Sequence, residues 1–254
     1  MPPLRGGRPL KRWRYLGLYG PELMLCAGVV RIGLLPQVFW AVWDPRAGRL
    51  RERTRFVRPV VALGEQRARI ADGDVELDLA LDARAPIEAF NPHGREYAWT
   101  RKLGDVRARG TVRLGRARRR VDLRGIVDES AGYHARETAW RWSAGVGTDA
   151  GGRPVAWNLV DGIHDGPAHS ERTVWVDGVA HEVGPVTFAG DLSRVDGGAL
   201  DLTFAGQSER RRDDDLLLFR SSYAQPFGTF SGRLGDDLAL AEGYGVMERH
   251  DVRW

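Results

Sequence analysis

The residues best suited to chemistry lie together in Asp128–Trp142, which opens on two carboxylates (Asp128, Glu129) and ends on two indoles. A turn-like Ser130-Ala131-Gly132 leads into a run that alternates as a strand does, with successive side chains on opposite faces. On that reading His134, Arg136, Thr138, Trp140 and Trp142 share one face, and Tyr133, Ala135, Glu137, Ala139 and Arg141 the other. A core face would read Val, Ile or Leu, and a solvated one would not carry two tryptophans. The mixture predicts the wall of a pocket.

Asp128, enclosed by apolar side chains, would have its pKa raised by desolvation and become a proton donor to an alkene. The more ordinary alternative is a turn carboxylate that accepts backbone N–H bonds from Ser130–Gly132. His134 and Arg136 either hold a polar group or a water, or pair with Glu171 or Glu248. Trp140, Trp142, Trp157 and Trp175 form either an aromatic box that stabilises a cation or, for at least two of them, barrel core. Asn158, on the face opposite Trp157, needs a partner if buried. Tyr244, Val246, Glu248 and His250 share a face, and Glu248 is expected to reach inward as a second candidate acid. Lys102 stands out because the chain has one other lysine, Lys11. Paired with an acid of the second half, Lys102 would bridge the halves.

Other chemistries find little support. His164 and His169 sit in a Gly/Pro loop without a third ligand, so no metal is expected. There is no Gly-x-Ser-x-Gly elbow and no Walker loop. Gly145-x-Gly147 precedes no helix signal, so no cofactor is expected. The net charge of +4 and pI of 9.6 come from arginine dispersed among nearly as many acids, so no nucleic-acid partner is expected. An Arg-mediated phosphate or nucleic-acid binder is the third reading, behind ligand binding and catalysis. Leu23–Leu35, the longest apolar stretch, is broken by Gly28, Arg31 and Gly33, so no integral membrane segment is expected. Met1–Arg14 lacks the apolar run of a signal peptide. A single cysteine, Cys26, excludes an intramolecular disulfide and fits a reducing cytoplasm.

The elements that must position these residues read as strands throughout. Arg14–Gly20, Leu23–Ile32 and Gln37–Trp43 are followed by an exposed strand Leu50–Val57, and Asp72-Gly73 joins Gln66–Ile70 to Val75–Leu81. Ile87–Trp99 turns at Asn91-Pro92-His93-Gly94. Val106–Leu114 and Arg118–Ile126 form a hairpin whose arginines (Arg113, Arg116, Arg118, Arg119, Arg120) either grip phosphate or, as is more usual, mark its wet end. Arg172–Val176 and Val179–Val183 meet at Asp177-Gly178, and Leu216–Arg220 is a later strand. Arg210–Asp215, with balanced charge, reads as a solvated turn. No long 3.6-residue periodicity occurs, so helices should be few and short. The fold class is all-β, of sandwich or barrel type. A boundary near Ile126–Ser130 gives units 1–127 and 128–254, with no sequence repeat between them.

Gly132-Tyr133-x-x-Arg136-x-Thr138-x-Trp140-x-Trp142, Gly145-x-Gly147, Trp157-Asn158-Leu159, Trp175-x-Asp177-Gly178, Phe227-Gly228-x-Phe230-x-Gly232 and Gly243–Glu248 resemble the bacterial domain of unknown function numbered 2804. Tyr97-x-x-Thr100-Arg101-Lys102 is similar to that family's shorter motif. More distantly, Asp128-Glu129-Ser130-x-Gly132 followed by Trp140-x-Trp142 resembles carotenoid hydratase-like and lipocalin-like (calycin) proteins, although Glu129 stands where histidine or arginine is common. This resemblance implies two tandem lipocalin-like antiparallel β-barrels around an apolar pocket. It also implies a choice between ligand carriage and hydratase or cyclase chemistry. The expected function is binding of a hydrophobic small molecule (a lipid, isoprenoid or polyketide-like chain) in a Trp-lined barrel pocket. His134, Arg136, Trp140, Trp142, Asn158, Glu171 and Lys102 would face the ligand. The alternative is a cofactor-independent hydratase, isomerase or cyclase with Asp128 or Glu248 as its acid.

Overall fold

The computed structural model describes residues 1–56, 59–93, 96–166, 168–216 and 219–253. Val57, Gly94, Leu217 and Leu218, which fall in a predicted strand, turn and strand, lie outside them. Among the described residues every strand pairing is antiparallel and there is no helix, hence none long and apolar enough to cross a membrane. A short hairpin, Leu4–Arg5 with Arg8–Pro9, precedes two large sheets. The first, ten-stranded, runs Arg49–Arg55, Leu35–Asp44, Met24–Ile32, Lys11–Tyr19, Ala117–Gly132, Glu96–Leu114, Val75–Asp82, Arg67–Asp72, Val61–Leu63, with Ile87–His93 paired to Glu96–Leu114. The second, nine-stranded, runs Val179–Glu182, Thr173–Val176, Pro154–Asp161, Glu137–Asp149, Leu238–Arg253, Phe219–Gly235, Leu200–Leu216, Arg194–Gly197, Thr187–Phe188.

With Ile87–His93 set aside, the two orders are identical. A four-strand meander is followed by a five-strand meander, and the first strand of one pairs with the last strand of the other. The wiring repeats although the side chains do not. Sheet membership changes between Gly132 and Glu137. Asp128–Trp142 is therefore not one strand. Asp128–Gly132 pairs with Tyr15–Lys11, whereas Thr138–Trp142 pairs with Val252–Glu248. Alternation continues on both sides of the 133–136 connector, and a period of two does not say which neighbour a strand will choose.

Each sheet curls over its own apolar interior without hydrogen-bonded closure. Leu16, Leu18, Leu25, Trp40, Leu79 and Val112 fill the first interior, and Val61–Leu63 returns over Met24–Ile32. Trp157, Leu159, Leu202, Phe204, Phe230 and Met247 fill the second. A third apolar layer lies between the sheets, where Tyr15, Tyr19, Met24, Cys26 and Ile126 meet Trp142, Val146, Trp175, Phe227 and Val246. Central strands are thus buried on both faces, and such strands read as near-continuous apolar runs. In Met24–Ile32, Leu25 and Ala27 enter the first interior while Met24 and Cys26 enter the layer between.

Two bulges decide which side chains reach that middle layer, because an extra residue reverses the phase of a strand. In Glu96–Leu114 the register shifts between Leu103 and Val106, with Asp105 at φ 55°. Before the shift Leu103 points inward and Lys102 toward the second sheet; after it Val106, Ala108 and Val112 point inward. Gly104 lies beneath the Trp175 indole, and a Cβ there would come within 2.1 Å of the ring. Gly104→Ala is expected to cost about 2 kcal/mol in urea unfolding, because the buried indole has no room to retreat. Unchanged stability would mean that the sheets are not held by this contact.

The second bulge, between Gly206 and Ser208, acts alike on Leu200–Leu216. Leu202 and Phe204 point into the second interior, while Arg210, Arg212 and Asp214 face the first sheet. Arg210–Asp215 is strand and not a solvated turn. Its charges pair locally (Arg212–Asp214, 2.6 Å), which lets a strand carry them.

Candidate functional site

A cavity of about 190 Å³ lies between the sheets and not inside either barrel. The interiors where a ligand was expected are packed with side chains. Trp13, Tyr15, Phe39, Trp140, Trp142 and Tyr223 form aromatic walls around the cavity. Four carboxylates among the described residues line it, Asp128 from the first sheet and Glu171, Asp214 and Glu248 from the second half of the chain; Asp128 and Glu248 stand on the last strands of the two sheets.

Asp128 sits mid-strand, opposite Lys102 on one side and Tyr15 on the other; it is not a turn residue. Lys102 Nζ lies 2.5 Å from Asp128 Oδ1 and 3.0 Å from Glu171 Oε2. His164 Nδ1 is 3.5 Å from the same Glu171 oxygen. Burial works against the Lys102 charge, yet the two carboxylates outweigh it and hold the ammonium above its ordinary pKa. Burial also opposes the Glu171 charge, but Lys102 and His164 draw that carboxyl down to about 2. Asp128 moves upward: burial raises it, against the pull of Lys102 and with the repulsion of Glu171. Lys102 thus bridges the two sheets, as its rarity suggested. Its ammonium occupies the centre of this acidic group, and among the described residues no set of three His, Cys, Asp or Glu is placed to hold a metal.

Glu248 occupies the corresponding place in the second sheet. It lies on the last strand, opposite Trp142 of the first strand and beside Gln225 of the penultimate one. Where Asp128 has an ammonium, Glu248 has an amide. Gln225 Nε2 donates to Glu248 Oε2 and Trp140 Nε1 to Oε1, both at 2.8 Å. Burial dominates and raises this carboxyl to about 7, aided by the Asp128 charge and opposed by donation from Trp140 and Tyr223 and by Arg210. Two topologically equivalent positions therefore hold carboxyls with different partners, an ammonium at Asp128 and uncharged N–H donors at Glu248. Of the titratable neighbours of Glu248, His250 and the tyrosines stay neutral at pH 7, while Arg210 carries charge. Burial lowers His250 to about 4, its Nε2 is 2.9 Å from Ser221 Oγ, and its ring lies 4.4 Å from Trp140. Burial holds the Tyr15, Tyr19 and Tyr223 phenols well above their ordinary pKa, so they stay protonated. Arg210 spreads over Phe39 and Tyr223 at 4.4 and 4.8 Å, a buried cation placed on ring faces.

Of the residues singled out in the sequence, Lys102, Asp128, Trp140, Trp142, Glu171 and Glu248 converge on this cavity. Asn158 stands behind them: its Oδ1 accepts from Trp142 Nε1 at 2.9 Å, and its Nδ2 donates to the Glu171 carbonyl at 2.8 Å. His134 is buried against Trp13 and His164, with ring centroids 5.0 and 5.6 Å away. Arg136 is exposed on the connector. These two do not share a wall with Trp140, because the connector ends the first strand before them. Glu171 pairs instead with Lys102 and His164, and Glu248 with Trp140 and Gln225. Trp157 belongs to the second interior, donating to Ser143 Oγ at 3.1 Å, and Trp175 packs on Gly104. Sequence reasoning passed over Tyr15, Tyr223, Gln225 and Arg210, and set His164 aside with the exposed His169. Arg210 was hidden inside a charge run, and nothing in the sequence marks Gln225.

Comparison with known proteins agrees with this architecture. No curated protein matches the chain. Among solved structures, an AttH candidate from Nitrosomonas europaea superposes with a TM-score of 0.64 at 14% identity, over 95% of this chain and 92% of that one. Kievitone hydratase from Nectria haematococca gives 0.53 at 7% identity, over 96% and 88%. CghA with Sch210972 gives 0.51 at 8%, over 96% and 88%. At such identities the likeness is one of fold, and it spans both sheets. Residues 66–254 match the family described as Domain of unknown function (DUF2804), and the chain belongs to it.

Proposed function

We propose that the chain binds a small, largely apolar molecule in the cavity between its sheets. The observation that carries this reading is the lining: six aromatic side chains surround about 190 Å³, and charged groups in the wall pair with one another, Lys102 with Asp128 and Glu171 and Arg212 with Asp214. A cavity of ~150 Å³ takes the six carbons of a benzene, so this one holds about eight, with the rest of an isoprenoid or polyketide chain extending through its mouth. Native mass spectrometry of the protein, purified without detergent, is expected to show an adduct that is lost on denaturation. A bare mass, even after incubation with ten-carbon alcohols, would count against the reading.

A second reading is favoured by one feature, the buried Glu248 carboxyl with its pKa near 7. Such a group exchanges a proton at neutral pH without a cofactor. In a hydration, Glu248 gives its proton to one carbon of a double bond, and the faces of Trp140 and Trp142 flank the resulting cation. The oxygen of water bonds to the neighbouring carbon, and the surplus proton returns to the Glu248 carboxylate. Isomerisation or cyclisation needs the same acid without the water. Asp128, held by Lys102, steadies charge across the cavity and does not act as the donor. Kievitone hydratase and CghA share the fold and are compatible with either reading.

A further inference from the structure

One end of the first sheet exposes side chains that water does not favour. Leu34 and Leu35, at the tip between Met24–Ile32 and Leu35–Asp44, are 91% and 74% exposed; Leu4, Phe56 and Phe90 are 62%, 54% and 67% exposed. Leu4, Leu34, Leu35 and Phe56 lie near one another. The Gly33 N–H donates to the Leu10 carbonyl, and Pro9 lies against Gly33, so the Leu4–Pro9 hairpin abuts the Leu34 tip. Ala131 pairs with Arg12 and Arg12 with Arg31, at the level of the sheet beside that tip, whereas Phe90 stands four strands away from Arg31. Phe56 lies beneath the Arg212 guanidinium at 5.3 Å, and Ile32, Gln37 and Arg212 of this same end line the cavity. Isolated exposed apolar residues are ordinary, whereas a gathered set marks an interaction surface.

Carboxylates at this end are already paired (Arg5 with Glu96, Arg212 with Asp214), and guanidinium groups are left over. Arg12 and Arg31 are exposed, and neither has a carboxylate partner among the described residues. Arg8 Nη1 has no hydrogen-bond partner among them either. We propose that this end of the first sheet docks on an anionic membrane surface, with Leu4, Leu34 and Leu35 entering the apolar boundary and Arg12 and Arg31 meeting headgroup phosphates. A second copy would set arginine against arginine. A bilayer meets both demands, offering hydrocarbon to the tips and phosphate to the guanidinium groups. The docking stands apart from what the cavity holds; its purpose, passage of an apolar molecule between bilayer and cavity, rests on the binding reading.

Co-sedimentation of the full chain with vesicles tests the docking without any ligand. With about one-third phosphatidylglycerol in phosphatidylcholine, binding is expected that falls about tenfold in Leu34→Ser/Leu35→Ser and weakens in high salt. Thermal unfolding of that variant should be unchanged, because both side chains are already in water. Arg12→Ser/Arg31→Ser should erase the preference over pure phosphatidylcholine. Absence of binding to the anionic vesicles, or equal binding by the leucine variant, overturns the proposal. So does self-association, or binding to duplex DNA, that accounts for the arginines in the absence of vesicle binding. A failed ligand titration leaves the vesicle result standing, and the reverse also holds.

Discussion

Lys102→Met is expected to destabilise the fold by roughly 3–5 kcal/mol at pH 7, because it strands two buried carboxylates without their shared cation. Asp128 and Glu171 lie 2.5 and 3.0 Å from the ammonium, which is 3% exposed. Methionine keeps the volume, so the loss would be electrostatic. The sign with pH follows from the same groups. With the ammonium gone both carboxyl pKa values rise above their unfolded values, so the deficit should shrink as pH falls toward 5 and the acids protonate. Urea unfolding at pH 7 and pH 5 checks this. A loss under about 1 kcal/mol would mean that the pair is solvated and that the sheets are not joined there. Replacing all three charged residues with apolar ones should recover most of the loss, since the expense lies in the unpaired charge.

Glu248→Gln is expected to act in the opposite direction. The folded-state pKa of Glu248 is raised to about 7 from the ordinary 4.5. Its protonated form therefore contributes stability that is complete below pH 4.5 and is lost as pH rises through 7. At pH 8 the buried carboxylate burdens the fold by about 3 kcal/mol, at 1.36 kcal/mol per pKa unit. The amide carries no such burden, so the variant should match the parent near pH 5 and exceed it at pH 8. The site can accept the amide: Gln225 Oε1 has no hydrogen-bond partner among the described residues, and a turn of that side chain would offer it to the new N–H. A parent stability that is flat between pH 5 and 8 would remove Glu248 as a near-neutral acid. On the catalytic reading, the same variant binds ligand and loses turnover.

The architecture was legible because Gly-marked turns and period-two alternation recur along the whole chain. The identical wiring of the two sheets was not, since pairing order leaves no mark when the side chains differ. Trp140 and Trp142 showed themselves through an unusual mixture on one strand face, Glu248 as the acid of a face shared with Tyr244, Val246 and His250, and Lys102 through its rarity. His134 and Arg136 were misplaced because alternation carries across a connector that breaks the strand. Arg210 was concealed by a bulge that reverses the phase of its strand, so that a charge run suited to solvent was turned toward a buried layer. The cavity itself belongs to strands buried on both faces. Sequence alternation marks one face as core and leaves what covers the other unsaid.

The indole N–H resonances give the most direct test of the central claim. Trp140 donates to Glu248 and Trp142 to Asn158 at the cavity wall, whereas Trp40 donates to Asp72 in the first sheet and Trp157 to Ser143 within the second. Titration with 1-naphthol and with geraniol, followed by nitrogen-15 correlation spectra, is predicted to move the Trp140 and Trp142 signals saturably and to leave Trp40 and Trp157 in place. Movement of Trp40 or Trp157 instead would put the ligand inside a barrel. Stationary signals with both compounds at millimolar concentration would contradict a binding cavity between the sheets.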